Sequence, residues 1–224
     1  MKLLTSIVAV SFIAAATFNT HAALVSVSGP NSSAGASAAI ISAPDDVNDD
    51  AAYNTAIQGF DEQQFYTLLA DLDVDGGTIT AGTLVSSHMI FLNSGPDNSS
   101  TLISQGLGSF DDGVEFTFDG AVLGIMSNSN GSREVSSSAF LGATGTIYPI
   151  ANFAARGLEG DPLSGYNDDW YAFSGNAITL GMKVTEPGDW IRVITAANVS
   201  EGSTLALLSI GLLGFIARRR KAKR

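Results

Sequence analysis

The chain has 224 residues and no cysteine, and its 22 acidic residues outnumber 11 basic ones, for a formal net charge of −11. The missing thiols exclude disulfide staples, a thiol nucleophile and a thiolate metal site. The acid excess excludes a nucleic-acid partner, because such a field repels phosphate.

The N-terminus opens with Met1-Lys2, a small positive segment, followed by the apolar run Leu3 to Phe18. Thr20-His21-Ala22 supplies small residues at the right distance for cleavage between Ala22 and Ala23, so residues 1–22 read as a secretory signal peptide and Ala23 as the first residue of the exported chain. Residues 23–198 then make one domain, large enough to bury a core unaided. Its only basic residues are Arg133, Arg156, Lys183 and Arg192, against 21 acidic ones, so its charge is about −17. Such a surface attracts divalent cations and stays soluble in salty surroundings.

Within this domain strand signals dominate. Ala23 to Ser28 alternates small and apolar residues, and Ala38 to Ser42 is a second candidate strand, stopped by Ala43-Pro44. Asp45 to Asp50 is an acidic loop whose carboxylates could cap a short helix over Ala51-Ala52-Tyr53. Leu68 to Val74 and Thr78 to Leu84 flank Asp75-Gly76-Gly77, a hairpin turn by composition. Val85 to Leu92, Val114 to Phe118, Ala121 to Met126, Trp170 to Phe173, Ala177 to Val184 and Asp189 to Thr195 continue the series, with Asp119-Gly120 and Glu186-Pro187-Gly188 as turns. Tyr148 to Gly165 has the least regular pattern and reads as a long loop. Helical periodicity is almost absent. The pattern predicts an all-β fold, an antiparallel β-sandwich of jelly-roll-like type.

Few side chains suggest chemistry. Asp71, Asp73 and Asp75 followed by Gly76 have the spacing of a calcium loop, but Gly82 stands where the closing bidentate acid belongs. The same alternation is that of a strand with Leu72 and Val74 facing inward. Asp45, Asp49 and Asp50 are a second calcium candidate and Asp161, Asp168 and Asp169 a third, each equally readable as a solvated loop. His88 is the only histidine left after signal removal, and no Gly-x-Ser-x-Gly elbow accompanies it, so it reads as a structural, partly exposed side chain. Glu62, Glu115, Glu134, Glu159 and Glu186 are available for sugar hydrolysis, but the sequence selects no pair. Tyr166, Trp170, Tyr171 and Trp190 are suited either to the sandwich core or to stacking on sugar rings. No catalytic residue, cofactor or metal ligand is therefore assigned.

The C-terminus is the most specific feature. Val199-Ser200-Glu201-Gly202 precede the apolar run Leu205 to Ala217 and the basic end Arg218-Arg219-Arg220-Lys221-Ala222-Lys223-Arg224. As a helix the run reaches only about 20 Å, against about 30 Å for a bilayer core, so it spans marginally, with arginines reaching for headgroups. The basic cluster predicts that residues 218–224 stay on the cytoplasmic side. Ser203-Thr204-Leu205-Ala206-Leu207-Leu208, Gly211-Leu212-Leu213-Gly214 and Arg218-Arg219-Arg220 resemble the PEP-CTERM sorting domain, also known as the ice-binding protein C-terminal domain, a label that describes the tail and not an affinity for ice. The resemblance implies an exosortase-type processing enzyme as partner, acting at the signature Val199 to Gly202, and a bacterial envelope rich in exopolysaccharide. Glu201 keeps its place, while Ser200 and Gly202 stand where the family has prolines. Ser86 to Leu92, Phe118 to Gly124 and Pro187 to Thr195 are similar to the exported regions of other PEP-CTERM proteins, which implies a β-sandwich without established activity. The function expected is that of a non-enzymatic surface or biofilm-matrix protein, held at the membrane and facing the periplasm or the cell exterior. The alternative is a carbohydrate-binding module, with or without calcium, using the aromatic residues Tyr166 to Trp190.

Overall fold

A computed structural model describes residues 23–48, 50–96, 100–152, 155–158, 166, 168–185 and 188–197. Ala22, the apolar runs at both ends and the signature Val199 to Gly202 with Arg218, Arg219 and Arg220 lie outside the described residues, as do Asp49 and Asp161. In chain order the strands are β1 (Leu24–Ser28), β2 (Ala39–Ile40), β3 (Gln58–Asp61), β4 (Tyr66–Thr67), β5 (Leu72–Val74), β6 (Gly77–Ile79), β7 (Leu84–Leu92), β8 (Ile103–Gln105), β9 (Val114–Phe118), β10 (Val122–Met126), β11 (Trp170–Ser174), β12 (Ala177–Val184) and β13 (Asp189–Ala196). Among the described residues there is one α-helix, α1 (Ser132–Leu141), between β10 and β11.

Two sheets stack face to face. The first runs β1-β9-β12-β11, with β8 beside β12; the second runs β10-β13-β7-β3-β2, with β4 beside β7. All pairings are antiparallel except β2 with β3. The all-β sandwich expected from the strand pattern is therefore the fold. The turns after β9 and β12 close no hairpins, since each carries the chain from the first sheet into the second. The core between the sheets takes alternate residues: Val114, Phe116 and Phe118 of β9 and Ile178, Leu180, Met182 and Val184 of β12 meet Ile90 and Leu92 of β7 and Ile191 and Val193 of β13. Period-two alternation places these on one face.

The second sheet is buried on both faces. Every residue of β7 from Val85 to Leu92, and of β13 from Asp189 to Thr195, is buried. Its outer face carries Phe60, Met89, Phe91 and Trp190 in one cluster, and Val85 and Ile194 in another that reaches the β5–β6 hairpin and Leu141 of α1. A third layer of helix, hairpin and loops thus covers that face.

Helix α1 was not legible as a helix, because its buried positions are Glu134, Ser137 and Leu141, two of them polar. The stripe has helical spacing but carries almost no hydrophobic signal. The short helix expected over Ala51-Ala52-Tyr53 is absent, and the chain only turns there. The hairpin is shorter than expected, with Val74 paired to Gly77 across the two-residue turn Asp75-Gly76; Gly76 takes a φ of 73°, which glycine adopts without strain.

Candidate functional site

His88 sits at a polar point inside the sandwich. The register of β3 against β7 sets Asp61 directly opposite His88, and both face inward. The imidazole Nδ1 lies 2.7 Å from Asp61 Oδ1, and Nε2 lies 3.0 Å from Thr195 Oγ1 on β13. Its ring packs on Phe118, with centroids 4.7 Å apart. Asp61 also accepts the Leu24 amide at 2.9 Å. Asp119, at the end of β9, has its carboxyl pushed above the usual range by burial and by Asp61, against the lowering effects of the Ala23 N–H and of His88.

Hydroxyl, imidazole and carboxylate therefore follow one another in the order of an acyl-transfer relay. The exposure runs the wrong way for that chemistry. Thr195 and His88 are 0 % exposed, whereas the Asp61 side chain is 36 % exposed. A nucleophile must meet substrate, and here the hydroxyl is the sealed end. The relay can fix a tautomer and tie three strands together. The expectation of a partly exposed histidine is corrected: its polar partners make full burial tolerable.

A second cluster lies on the outer face of the same sheet. Asp61 ends β3 and Glu62 follows it directly, so their side chains point to opposite faces. Glu62 takes both prongs of Arg192, at 2.7 Å each, and accepts from Ser87 Oγ at 2.6 Å and Tyr148 Oη at 2.7 Å. Arg192 Nη1 donates to the Glu134 carbonyl at 2.7 Å and Ser137 Oγ at 2.6 Å, both on α1. Glu134 in turn holds Arg156 through two bonds of 2.7 and 3.1 Å. Arg156 also donates to the Val47 carbonyl and lies 4.3 Å above the Trp190 ring. Both ion pairs are fully buried. Burial works to lower the Arg192 pKa, but Glu62, Glu134 and Tyr148 outweigh it and raise it. Tyr148 is raised by burial and by the adjacent Glu62.

Asp75, a candidate calcium ligand, is a structural acceptor instead. It receives the Ser127 amide and hydroxyl at 2.9 and 2.6 Å, Arg133 Nη1 at 2.6 Å and Tyr171 Oη at 3.1 Å. The Tyr171 hydroxyl is pushed up to about 12 by burial and by Asp75. Asp71 accepts the Ala81 amide, Asp73 is exposed in β5 and Asp75 is bound to Ser127 and Arg133, so the three carboxylates are engaged separately. Asp46 binds the amide and side chain of Asn48 within its own loop, and Asp169 accepts the Lys183 amide. Among the described residues no three acidic or histidine side chains converge to hold a metal ion. An open groove of about 750 Å³ lies between the hairpin and α1, lined in part by Asp71, Asp73, Asn128, Asn130 and Arg133.

The aromatic residues do not form one platform. Trp190 is 1 % exposed on the outer face of the second sheet, stacked on Phe91 at 4.2 Å. Trp170 is 2 % exposed on the first sheet, donating to the Gly106 carbonyl at 3.0 Å beneath Phe110 and Tyr166. Tyr171 is buried, and only Tyr166 among the four is open to solvent.

The sequence reading missed both ion pairs. The available signal was Arg192 itself, a lone cation inside the strand Asp189 to Thr195, where burial demands a carboxylate partner. Compared with protein-family models, with curated proteins and with solved structures, the chain matches none. Among the described residues no helix is long and apolar enough to cross a membrane.

Proposed function

We propose that this is an exported β-sandwich protein, of jelly-roll-like kind, that is held at the bacterial envelope by residues 199–224 and serves there, or in the surrounding matrix, as a non-catalytic surface component. The observation that carries the proposal is the tail: a 13-residue run, Leu205 to Ala217, that is apolar but for Ser209, with Arg218, Arg219 and Arg220 directly behind it. Two features of the domain support it. Strand β1 begins at Leu24, one residue beyond the expected signal cleavage. The four cations of the domain also each sit beside a carboxylate: Arg133 by Asp75, Arg156 by Glu134, Lys183 by Asp168 and Arg192 by Glu62. The remaining carboxylates leave an acidic exterior, suited to hydrated surroundings such as exopolysaccharide and to an exosortase-type partner that handles the tail rather than the domain.

Cell fractionation tests the reading. The full chain is expected in the membrane fraction, and a chain lacking residues 205–224 in the soluble exported fraction. An unchanged membrane fraction after that deletion would overturn the proposal.

A further inference from the structure

Strand β1 starts between two carboxylates. The Leu24 amide donates to Asp61 Oδ1 at 2.9 Å, and the Asp119 amide donates to the Ala23 carbonyl at 3.1 Å. Leu24 pairs with Phe118, so Ala23 is held beside the end of β9. Its own N–H stabilises the ionised form of the Asp119 carboxyl. The backbone that carries this carboxyl is closely packed. Gly120 follows it, packed so closely on β13 that a Cβ there would lie 1.9 Å from the Ala196 carbonyl oxygen. Of the titratable groups nearby, Asp61 opposes a second negative charge on Asp119, and His88 is bonded to Asp61. The amide of Ala23 is neutral and brings one donor to this acidic corner. An α-ammonium at the same nitrogen would bring a full charge and three donors.

We infer that cleavage between Ala22 and Ala23 completes the fold: the α-ammonium created on Ala23 pairs with the Asp119 carboxylate and clamps β1 onto β9. The inference rests on the reading of residues 1–22 as a removable signal. Cleavage is hydrolysis: the C–N bond of the Ala22–Ala23 peptide breaks, the hydroxyl of water joins the Ala22 carbonyl carbon, and its proton goes to the Ala23 nitrogen. At neutral pH that amine takes up a further proton, since an unperturbed α-amine titrates near ~8. Export would thus leave a mark on the domain itself, with the processed chain more firmly closed at its first strand than the precursor.

The test uses the full chain, expressed with its signal and solubilised from the membrane. N-terminal sequencing is expected to give Ala23. The α-amine is expected to titrate above ~8, by pH-dependent labelling, and to return to about 8 in Asp119→Asn. Selective transamination, which turns the Ala23 amine into a carbonyl, is expected to lower the melting temperature by about 2–4 °C in the native sequence and to leave Asp119→Asn unmoved. An N-terminus at Ala23 with an α-amine pKa at or below ~8 would overturn the clamp while leaving the signal reading intact. That measurement needs no variant to fold. An equal melting shift with and without Asp119 would also overturn the clamp. An uncleaved chain, or a first residue other than Ala23, would overturn the clamp and the signal reading together.

Discussion

The two sheets treat their outer faces in opposite ways. On the first sheet Glu115, Lys183 and Ser174 are exposed, and the sealed patch is Trp170 with Thr179 and Gly181 beside it, next to the loop around Phe110. On the second sheet Phe60, Met89, Phe91, Trp190, Arg192 and Ile194 all lie beneath a further layer. The apolar members of that face supply area, but dispersion and the hydrophobic effect are non-directional and leave a helix free to slide. The Arg192 and Arg156 forks are directional. They join α1 to the sheet at Glu134, Ser137 and Ser138, which fixes the helix in one place. One outer face is thus a water boundary, and the other is an internal interface whose register is set by charge.

Arg192→Met breaks that contrast most severely. The variant keeps apolar volume but strands Glu62 in a dry site with only Ser87 and Tyr148 as donors. Removing one partner of a buried pair costs about 3–5 kcal/mol, read as a lower urea midpoint. The double change Glu62→Met with Arg192→Met is expected to recover most of that loss, since paired apolar replacements of buried ion pairs are often neutral or better. A single variant within about 0.5 kcal/mol of the parent would mean that water reaches Glu62 and that the second sheet's outer face is not sealed.

On the first sheet the matching weak point is Trp170. Gly181 lies opposite it across the β11–β12 pair, and a Cβ there would sit 2.3 Å from the Gly106 carbonyl oxygen and 2.4 Å from Trp170 Nε1. Gly181→Ala therefore forces the indole or the Gly106 loop outward, at a cost of about 1–3 kcal/mol, with a change in tryptophan fluorescence. Loss of fluorescence change together with full stability would show that the loop over Trp170 yields easily, which narrows the contrast between the faces.

Two contacts made to carboxylates also carry a pH signature. Tyr171 and Tyr148 both donate to carboxylates and both have raised pKa values, Tyr171 to about 12. A raised value means that the folded state holds the phenol proton after the unfolded chain has released it. Above about pH 10 the unfolded state binds fewer protons, so stability falls from there up to the folded value and is unaffected at lower pH. Tyr171→Phe is expected to flatten part of that alkaline slope in melting temperature against pH. An unchanged slope would mean that Tyr171 ionises freely, and that Asp75 does not anchor the hairpin through it.

Why the first sheet was readable and the third layer was not follows from these same residues. In β9, Val114, Phe116 and Phe118 alternate with Glu115 and Thr117, so sequence period and burial coincide. In β13 the run Trp190-Ile191-Arg192-Val193-Ile194 is buried throughout, and its strand character was plain while its two-sidedness was not. Helix α1 buries Glu134 and Ser137 against an arginine 58 and 55 residues away, a partnership no local pattern carries. His88 was placed on its strand from sequence, but Asp61 and Thr195 reach it only through register, across 27 and 107 residues.

The smallest effect is expected at Lys183, and it sharpens the comparison by its size. Lys183 leaves β12 on the open face of the first sheet, with Nζ 3.8 Å from Asp168 and side chains 41 % and 67 % exposed. Water screens the pair, and ordering two mobile side chains offsets most of the attraction, so Lys183→Gln should cost no more than about 0.5 kcal/mol. The backbone role of the residue survives the change, because its amide still donates to Asp169 at 2.8 Å. The variant is therefore a cation removed from the same domain as Arg192, in a strand of the same length, differing in burial and in the bonds that burial holds in place. If Lys183→Gln and Arg192→Met moved the urea midpoint equally, charge alone would govern both, and the distinction between a wet face and a sealed one would fail.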